Sequence, residues 1–168
     1  MIDPAAFKAA MGSFPAGVVI ATSRDADDRP VGFTASSFSS VSLDPPLVLV
    51  CLAKSAACYV AFQAAQHFAI NILRAGDDAL ALRFATRGAA KFEGDDFTLD
   101  AHRMPLARRA ITQLSCRKHA QHDAGDHIIL VGQVEAVQMD TTHDPMVYFG
   151  RSFWRFDPTG PHLTTDLP

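Results

Sequence analysis

One segment constrains this chain more than any other: Gly32 to Pro46, GFTASSFSSVSLDPP, which runs straight into the apolar Leu47-Val48-Leu49-Val50-Cys51-Leu52. Seven of its fifteen residues carry a hydroxyl or a carboxylate. Small side chains let a ligand approach the backbone, and hydroxyls donate to phosphate or carbonyl oxygens. A merely solvated loop has no need of so many small hydroxyls beside a core strand. The segment reads either as a ligand-binding edge or as a Ser-rich β-turn and bulge.

The chain has 168 residues, which suits one domain. At that length folding removes about 70% of the unfolded chain's surface from water, enough for a real core. The net charge of −3, with no Lys/Arg cluster, gives nucleic acid nothing to bind. The longest apolar run, Pro46 to Ala53, is too short to span a bilayer. No basic region followed by an apolar run opens the chain, so no signal peptide is expected and a cytoplasmic address follows. Cys51, Cys58 and Cys116 form no CxxC pair and read as buried free thiols.

Asp3-Pro4 opens a helix through a capping carboxylate and a proline in the first turn. Phe7, Ala10, Met11 and Phe14 follow at helical spacing, and Pro15-Ala16-Gly17 ends the pattern. Val18 to Thr22 reads as a strand, Arg24 to Pro30 as a polar turn, and Val31 to Ser36 as its hairpin partner. Pro46 to Leu52 is a strand. Ser55 is expected to cap a helix reaching about Gln66. His67 to Leu73 is a strand, and Asp77 to Phe84 a short helix with Leu80 and Phe84 on one face. Thr86 to Pro105 reads as loop with short strands. Ile111 to His119 and His127 to Met139 are longer strands joined by a polar turn, and Tyr148 to Phe156 is a last strand. The Pro- and Thr-rich tail from Asp157 is expected to be mobile. Many short strands with two or three helices favour a closed antiparallel barrel over a parallel α/β sheet.

No G-x-G-x-x-G follows a strand and no Walker A sequence occurs, so a nicotinamide cofactor would bind without a Rossmann cradle. Lys54-Ser55, between a strand and the expected helix, reads as a phosphate anchor or as an exposed lysine beside an ordinary cap. His127 follows Gly125-Asp126 at a tight turn, where Asp126 can orient its imidazole. It is a candidate catalytic residue or a structural histidine. His119, His122 and His127 fit no common zinc spacing, and no metal is expected there. Asp27-Asp28 and Asp95-Asp96 read as solvated turns. No Ser-His-Asp spacing points to a hydrolase.

Thr34-Ala35-Ser36-Ser37-Phe38-Ser39-Ser40-Val41-Ser42, then Asp44-Pro45-Pro46-Leu47-Val48, resembles the signature of the flavin reductase-like, FMN-binding split-barrel family. Phe68 to Leu73 (FAINIL), Lys91-Phe92, Ala124-Gly125-Asp126-His127 and Gly132-Gln133-Val134 match in order downstream, and Phe7 to Gly17 upstream. The resemblance covers residues 5–156. It implies a mainly β fold, a six-stranded antiparallel Greek-key split β-barrel with peripheral helices, as one domain over 1–156 with a tail over 157–168. Family members are usually homodimers with flavin near the subunit interface, and many are reductase components of two-component flavin-dependent monooxygenases.

The resemblance also implies roles. Thr34, Ala35, Ser36, Ser37, Ser39 and Ser40, with backbone groups of Cys51 and Leu52, would face the phosphate, ribityl chain or ring edge of FMN or FAD. Independently of the resemblance, Lys54 and Ser55, at the start of the expected helix, would hold the phosphate. Phe92 would lie near the flavin, or simply pack in the core. Tyr148 and Arg151 match a C-terminal edge over the site. His127 would position the carboxamide of NADH or NADPH. The implied activity is NAD(P)H:flavin oxidoreduction. The rival readings are a non-catalytic flavin carrier or sensor, and a pyridoxamine-phosphate-type oxidase whose basic phosphate residues are not evident.

Overall fold

The computed structural model describes residues 2–156, so the tail expected to be mobile lies outside the described residues. In chain order the elements are α1 (Pro4–Gly12), β1 (Ala16–Gly17), β2 (Val19–Arg24), β3 (Pro30–Ala35), β4 (Ser39–Ser42) and β5 (Leu47–Ala53). Then come α2 (Tyr59–Ala64), β6 (His67–Ile72), α3 (Asp78–Ala85), β7 (Phe97–Leu99) and β8 (Pro105–Ala107). Two long strands, β9 (Thr112–Ala124) and β10 (His127–Met139), precede β11 (Met146–Phe149) and β12 (Ser152–Arg155). The fold is mainly β, as the strand-rich pattern predicts.

Seven strands form one antiparallel sheet in the order β3-β2-β6-β9-β10-β5-β4. Its two edge strands, β3 and β4, are neighbours in sequence, joined only by Ser36, Phe38 and the Ser37 between them. A flat sheet of seven strands is about 29 Å wide at roughly 4.8 Å per gap. The chain from Ala35 to Ser39 reaches at most about 14 Å. The sheet therefore rolls, which brings β3 round to the end of β5. The rolled interior holds one apolar core, with Val19, Phe33, Val50, Phe68, Leu114 and Leu130 drawn from six different strands. Six strands were expected; the seventh is the four-residue β4, whose pairing with β5 shifts register between Ser40 and Ser42. The bulge reading of the Ser-rich segment holds at that point.

A second core lies beneath α3 and the small sheet β1-β11-β12, with Ile20, Leu73, Phe84 and Met146 wholly buried. Buried Asn71 ties the layers together. Its Nδ2 donates to Ile20 O at 3.0 Å, and its Oδ1 accepts from Ala107 N at 2.7 Å. Thr22 Oγ1 donates to Pro105 O across the same seam. These buried polar groups are paired, which is what makes their burial tolerable.

Three local expectations are corrected. The helix expected from Ser55 begins only at Tyr59, because residues 54–57 form turns, and its cap position is Cys58, which makes no side-chain cap bond. Lys118 Nζ satisfies the other end of α2 by donating to Phe62 O and Gln63 O. β9 runs to Ala124 rather than His119, because it pairs with β10 up to the two-residue turn Gly125–Asp126. The expected last strand is a hairpin: Gly150 and Arg151 both take positive φ, 56° and 65°, the backbone of a tight two-residue turn. The three cysteines are free, and burial pushes the Cys116 thiol up to about 12.

Gly32 is where β3 admits α3. A Cβ there would sit 2.8 Å from Ala21 O and 2.9 Å from the Phe84 ring. The ring is locked by Phe92 and Phe97, so it has no room to give. Gly32→Ala is expected to cost about 1–3 kcal/mol of stability, the usual penalty for overpacking. The measurement is a lower urea midpoint with an unchanged slope.

Candidate functional site

The rolled sheet leaves an open cavity of about 780 Å³ over the seam between β3 and β5. This lies within the usual range for small-molecule sites. One wall is β3 and the link Ser36–Ser37. Opposite are the end of β5 and the turns leading to α2. The end of α3 and the segment after it, from Phe84 to Phe92, also line the cavity, as does His127.

Nine of the expected residues line this cavity: Thr34, Ala35, Ser36 and Ser37 on one wall, Cys51, Leu52 and Ser55 on another, with Phe92 and His127. Their hydroxyls are not equivalent. Ser37 Oγ accepts from Cys51 N at 3.0 Å and donates to Cys51 O at 3.3 Å, tying the link between β3 and β4 to β5. Thr34 Oγ1 donates to Ala81 O at 2.6 Å and tethers α3. A hydroxyl has one proton to donate. In this arrangement Thr34 and Ser37 spend theirs on the fold, and the exposed hydroxyls of Ser36 and Ser55 are better placed to donate to a ligand.

Lys54 does not line the cavity. Its Nζ donates to Asp123 Oδ1 at 2.5 Å and to Gly125 O at 2.7 Å, while its amide donates to Asp126 O at 2.9 Å. α2 starts five residues later, and Lys54 clamps the β9–β10 turn. Ser39 and Ser40 lie on β4, paired with Leu49 and Val48, outside the cavity. Tyr148 pairs with Ala16 and packs against Phe153. Arg151 sits in the β11–β12 turn and lines a separate groove of about 770 Å³ beside α1. Neither reaches the cavity of its own chain.

The clamped turn holds His127, the first residue of β10, against Ala53 and Ala124. Its Nδ1 bonds Asp126 Oδ1 at 2.7 Å. That bond, with the imidazole's charge and the nearby Lys54, holds the exposed Asp126 carboxyl below the usual range. The ionised carboxylate accepts only, so Nδ1 carries the proton and Nε2 remains for a ligand.

Two cations also line the cavity: Arg87, which the sequence reading did not assign to the site, and Lys91, which it carried only within the Lys91-Phe92 match. Lys91 Nζ donates to Gly32 O at 3.0 Å and to Phe84 O at 2.8 Å, joining β3 to the end of α3, and burial lowers its pKa. Arg87 is exposed at the rim. The available signal was Arg87-Gly88 directly after a predicted helix, in a stretch without periodicity. Phe92 packs edge-on against Phe84 with centroids 5.0 Å apart and also lines the cavity. Among the described residues the lining has two cations and no carboxylate.

A rolled antiparallel sheet with an apolar cavity, cations on one rim and a histidine on another defines a class of small-ligand-binding β proteins. The flavin reductase like domain family matches residues 11–157, and this chain belongs to that family. The chain is 42% identical over 151 residues to an actinorhodin polyketide dimerase of Streptomyces coelicolor, covering 90% of this chain and 85% of that protein. It is also 42% identical over 151 residues to FMN reductase (NADH) SmoA of Agrobacterium fabrum, covering 89% and 84%. The solved structure of the Streptomyces globisporus NADH:FAD oxidoreductase SgcE6, with NAD and FAD fragments, superposes with a TM-score of 0.88 at 34% identity, over 96% of this chain and 99% of that one.

Ser37→Ala removes the bridge to Cys51 and leaves its amide unpaired at the seam. The expected cost is about 1–3 kcal/mol of stability, measured by denaturant titration. Ser36→Ala, at the exposed neighbouring hydroxyl, is expected to leave stability unchanged.

Proposed function

We propose that the chain is an NADH-dependent flavin reductase that reduces FMN, or FAD, and supplies the reduced flavin to a partner monooxygenase. The observation that carries this reading is the cavity lining. A protein of net charge −3 presents Arg87 and Lys91 with no opposing carboxylate, over a wall of small and apolar residues. That suits an aromatic ligand bearing phosphate. Relatives named as NADH-dependent FMN reductase, NADH:riboflavin 5'-phosphate oxidoreductase and monooxygenase reductase subunit support it.

A flavin held here would supply the hydride-accepting chemistry, and the protein's contribution would be orientation and electrostatics. Ser36, Ser55 and Arg87 would hold the phosphate and ribityl oxygens. The backbone near Cys51 and Leu52 would meet the ring edge, with Phe92 against the ring. Thr34, Ser37 and Lys91 would keep those walls in place. His127 would present Nε2 to the carboxamide, holding the donor carbon roughly 3–3.5 Å from its acceptor.

The same reading takes residues 1–156 as one domain with the six-stranded Greek-key split barrel of the family, β4 being an added edge strand. It takes the protein as a homodimer. Phe7, Met11, Phe14, Phe149 and Trp154 stand exposed on α1, the link after it and the β11–β12 hairpin. Apolar groups collected in this way mark an interaction surface. Tyr148 and Arg151 lie beside that surface and would reach the flavin of the second copy. Three unpaired thiols fit a reducing, cytoplasmic compartment. No helix among the described residues is long and apolar enough to cross a membrane.

Steady-state oxidation of NADH with added FMN tests the activity. Turnover is expected; tight FMN binding without turnover would instead mark a carrier or sensor. His127→Ala is expected to bind FMN nearly as the wild type does, yet to reduce it with roughly 10- to 100-fold lower efficiency. Rapid mixing beside a thermal melt separates this from lost stability. Arg87→Ala is expected to weaken FMN binding roughly 10- to 100-fold, as for a lost charged hydrogen bond. Riboflavin, which has no phosphate, should bind both forms alike.

A further inference from the structure

Away from the cavity, three potential metal-binding side chains converge from three separate elements. His67 opens β6 and points to the face opposite Phe68, which fills the core. Glu135 is the extra residue of a β-bulge in β10: Val134 pairs with Cys116 and Ala136 with Ser115, leaving Glu135 unpaired. Bulges re-aim side chains, and this one turns a carboxylate over His67. His102 comes from the turn before β8. That turn is fixed by Asp100 Oδ1, which accepts from the amides of His102 and Met104 at 2.9 and 2.8 Å.

We propose that His67, His102 and Glu135 form a binding site for one borderline divalent cation of the Zn²⁺ class. Glu135 Oε2 lies 3.4 Å from His102 Nε2 and 3.9 Å from His67 Nε2, and all three donor atoms fall within 4.8 Å of one another. Donors around a tetrahedral ion with bonds of about 2.1 Å stand roughly 3.4 Å apart. Of the three donor pairs, Glu135–His102 already has that spacing, Glu135–His67 must close by roughly half an ångström, and the two imidazole nitrogens, within 4.8 Å of each other, must settle to the same distance. Two imidazoles and one carboxylate suit Zn²⁺, Co²⁺ or Ni²⁺ rather than a hard cation. Three protein ligands leave the remaining positions to water.

The residue behind the carboxylate is also in place. Arg117 Nε donates to Glu135 Oε1 at 3.2 Å and leaves Oε2 to face the histidines. Such partners fix the orientation of a ligand. The guanidinium charge also opposes a second cation, so the site binds more weakly than a closed structural zinc site. The two rings are stacked, 3.9 Å apart and 12° from parallel, so their in-plane lone pairs run side by side. One ring must turn to share an ion. His102, the more exposed of the two, is free to do so.

The test is calorimetric titration of Zn²⁺ into chelator-treated full-length protein. Saturable binding of one ion at this site is expected in the wild type. His102→Ala and Glu135→Gln are each expected to weaken it by at least the roughly 10- to 100-fold that follows from losing even a partner behind a ligand. Both substitutions lie at partly exposed positions, and melting curves without metal confirm folding. A rise in melting temperature with Zn²⁺, present in the wild type and absent in both variants, provides the second readout. No saturable binding to the wild type overturns the site. Binding undiminished in both variants also overturns it, by assigning the ion to other histidines. His102→Ala leaves the cavity intact, so flavin reduction at the wild-type rate is expected, and the two proposals fail separately.

Discussion

The three-residue link between β3 and β4 is the constraint on which the rest of this structure depends. It joins the two edges of a seven-stranded sheet, and so it obliges the sheet to roll. Rolling gives Phe33, Val50, Phe68 and Leu130 a common interior. It also creates a seam where β3 and β5 face one another without a ladder of their own, and the cavity opens over that seam. Backbone groups along such a seam need partners, since an unpaired buried amide costs about as much as a lost hydrogen bond. Ser37 supplies both a donor and an acceptor to Cys51. The density of small hydroxyls that marks the sequence is therefore first a consequence of the roll.

The same logic applies to the cations. Lys91 spends two of its donors on Gly32 O and Phe84 O, which fastens α3 to β3 exactly where the absence of a Cβ lets Phe84 approach. Its ammonium remains in the cavity wall as a fixed charge. Lys54 works at the opposite side, on the turn that carries Asp126 and His127. Neither lysine is a free arm reaching for a ligand. Each holds one wall of the cavity in register, and the exposed Ser36, Ser55 and Arg87 are left as the adaptable contacts.

Much of this was legible in the chain. The strands at Val19, Leu47, His67 and His127 follow from β-branched and apolar runs, α1 from Asp3-Pro4, and α3 from the Leu80–Phe84 spacing. The segment Thr34–Ser37 and His127, some ninety residues apart, line one cavity, and it is the family resemblance, not periodicity or spacing, that joins them in the sequence. What could not be read has specific causes. α2 starts late because no side chain caps it, and Ser55 is a strong cap by composition alone. The β11–β12 turn was hidden because Arg151, a residue without turn preference, takes a positive φ. Arg87 enters the site through tertiary packing of a segment with no periodic signal. The His67–His102–Glu135 cluster spans three distant elements and depends on a bulge that only the strand register reveals.

Asp126 and His127 illustrate how a two-residue turn can set chemistry. The turn Gly125–Asp126 puts the carboxylate next to the imidazole, and hydrogen bonding lowers its pKa. A carboxylate that stays ionised can only accept, so the proton on His127 is confined to Nδ1 and the acceptor lone pair to Nε2. Lys54 then fixes the turn to β5 through a side-chain and a backbone bond, and β5 carries Cys51 and Leu52 along the same wall. Orientation of the imidazole is thus referred to the strand that lines the cavity, not to the mobile end of a loop. Hydride transfer needs no proton at the transferring atom, so the reaction asks the imidazole for position and not for acid–base work. The oriented imidazole is well suited to holding an amide in place, and that is the role its environment prepares.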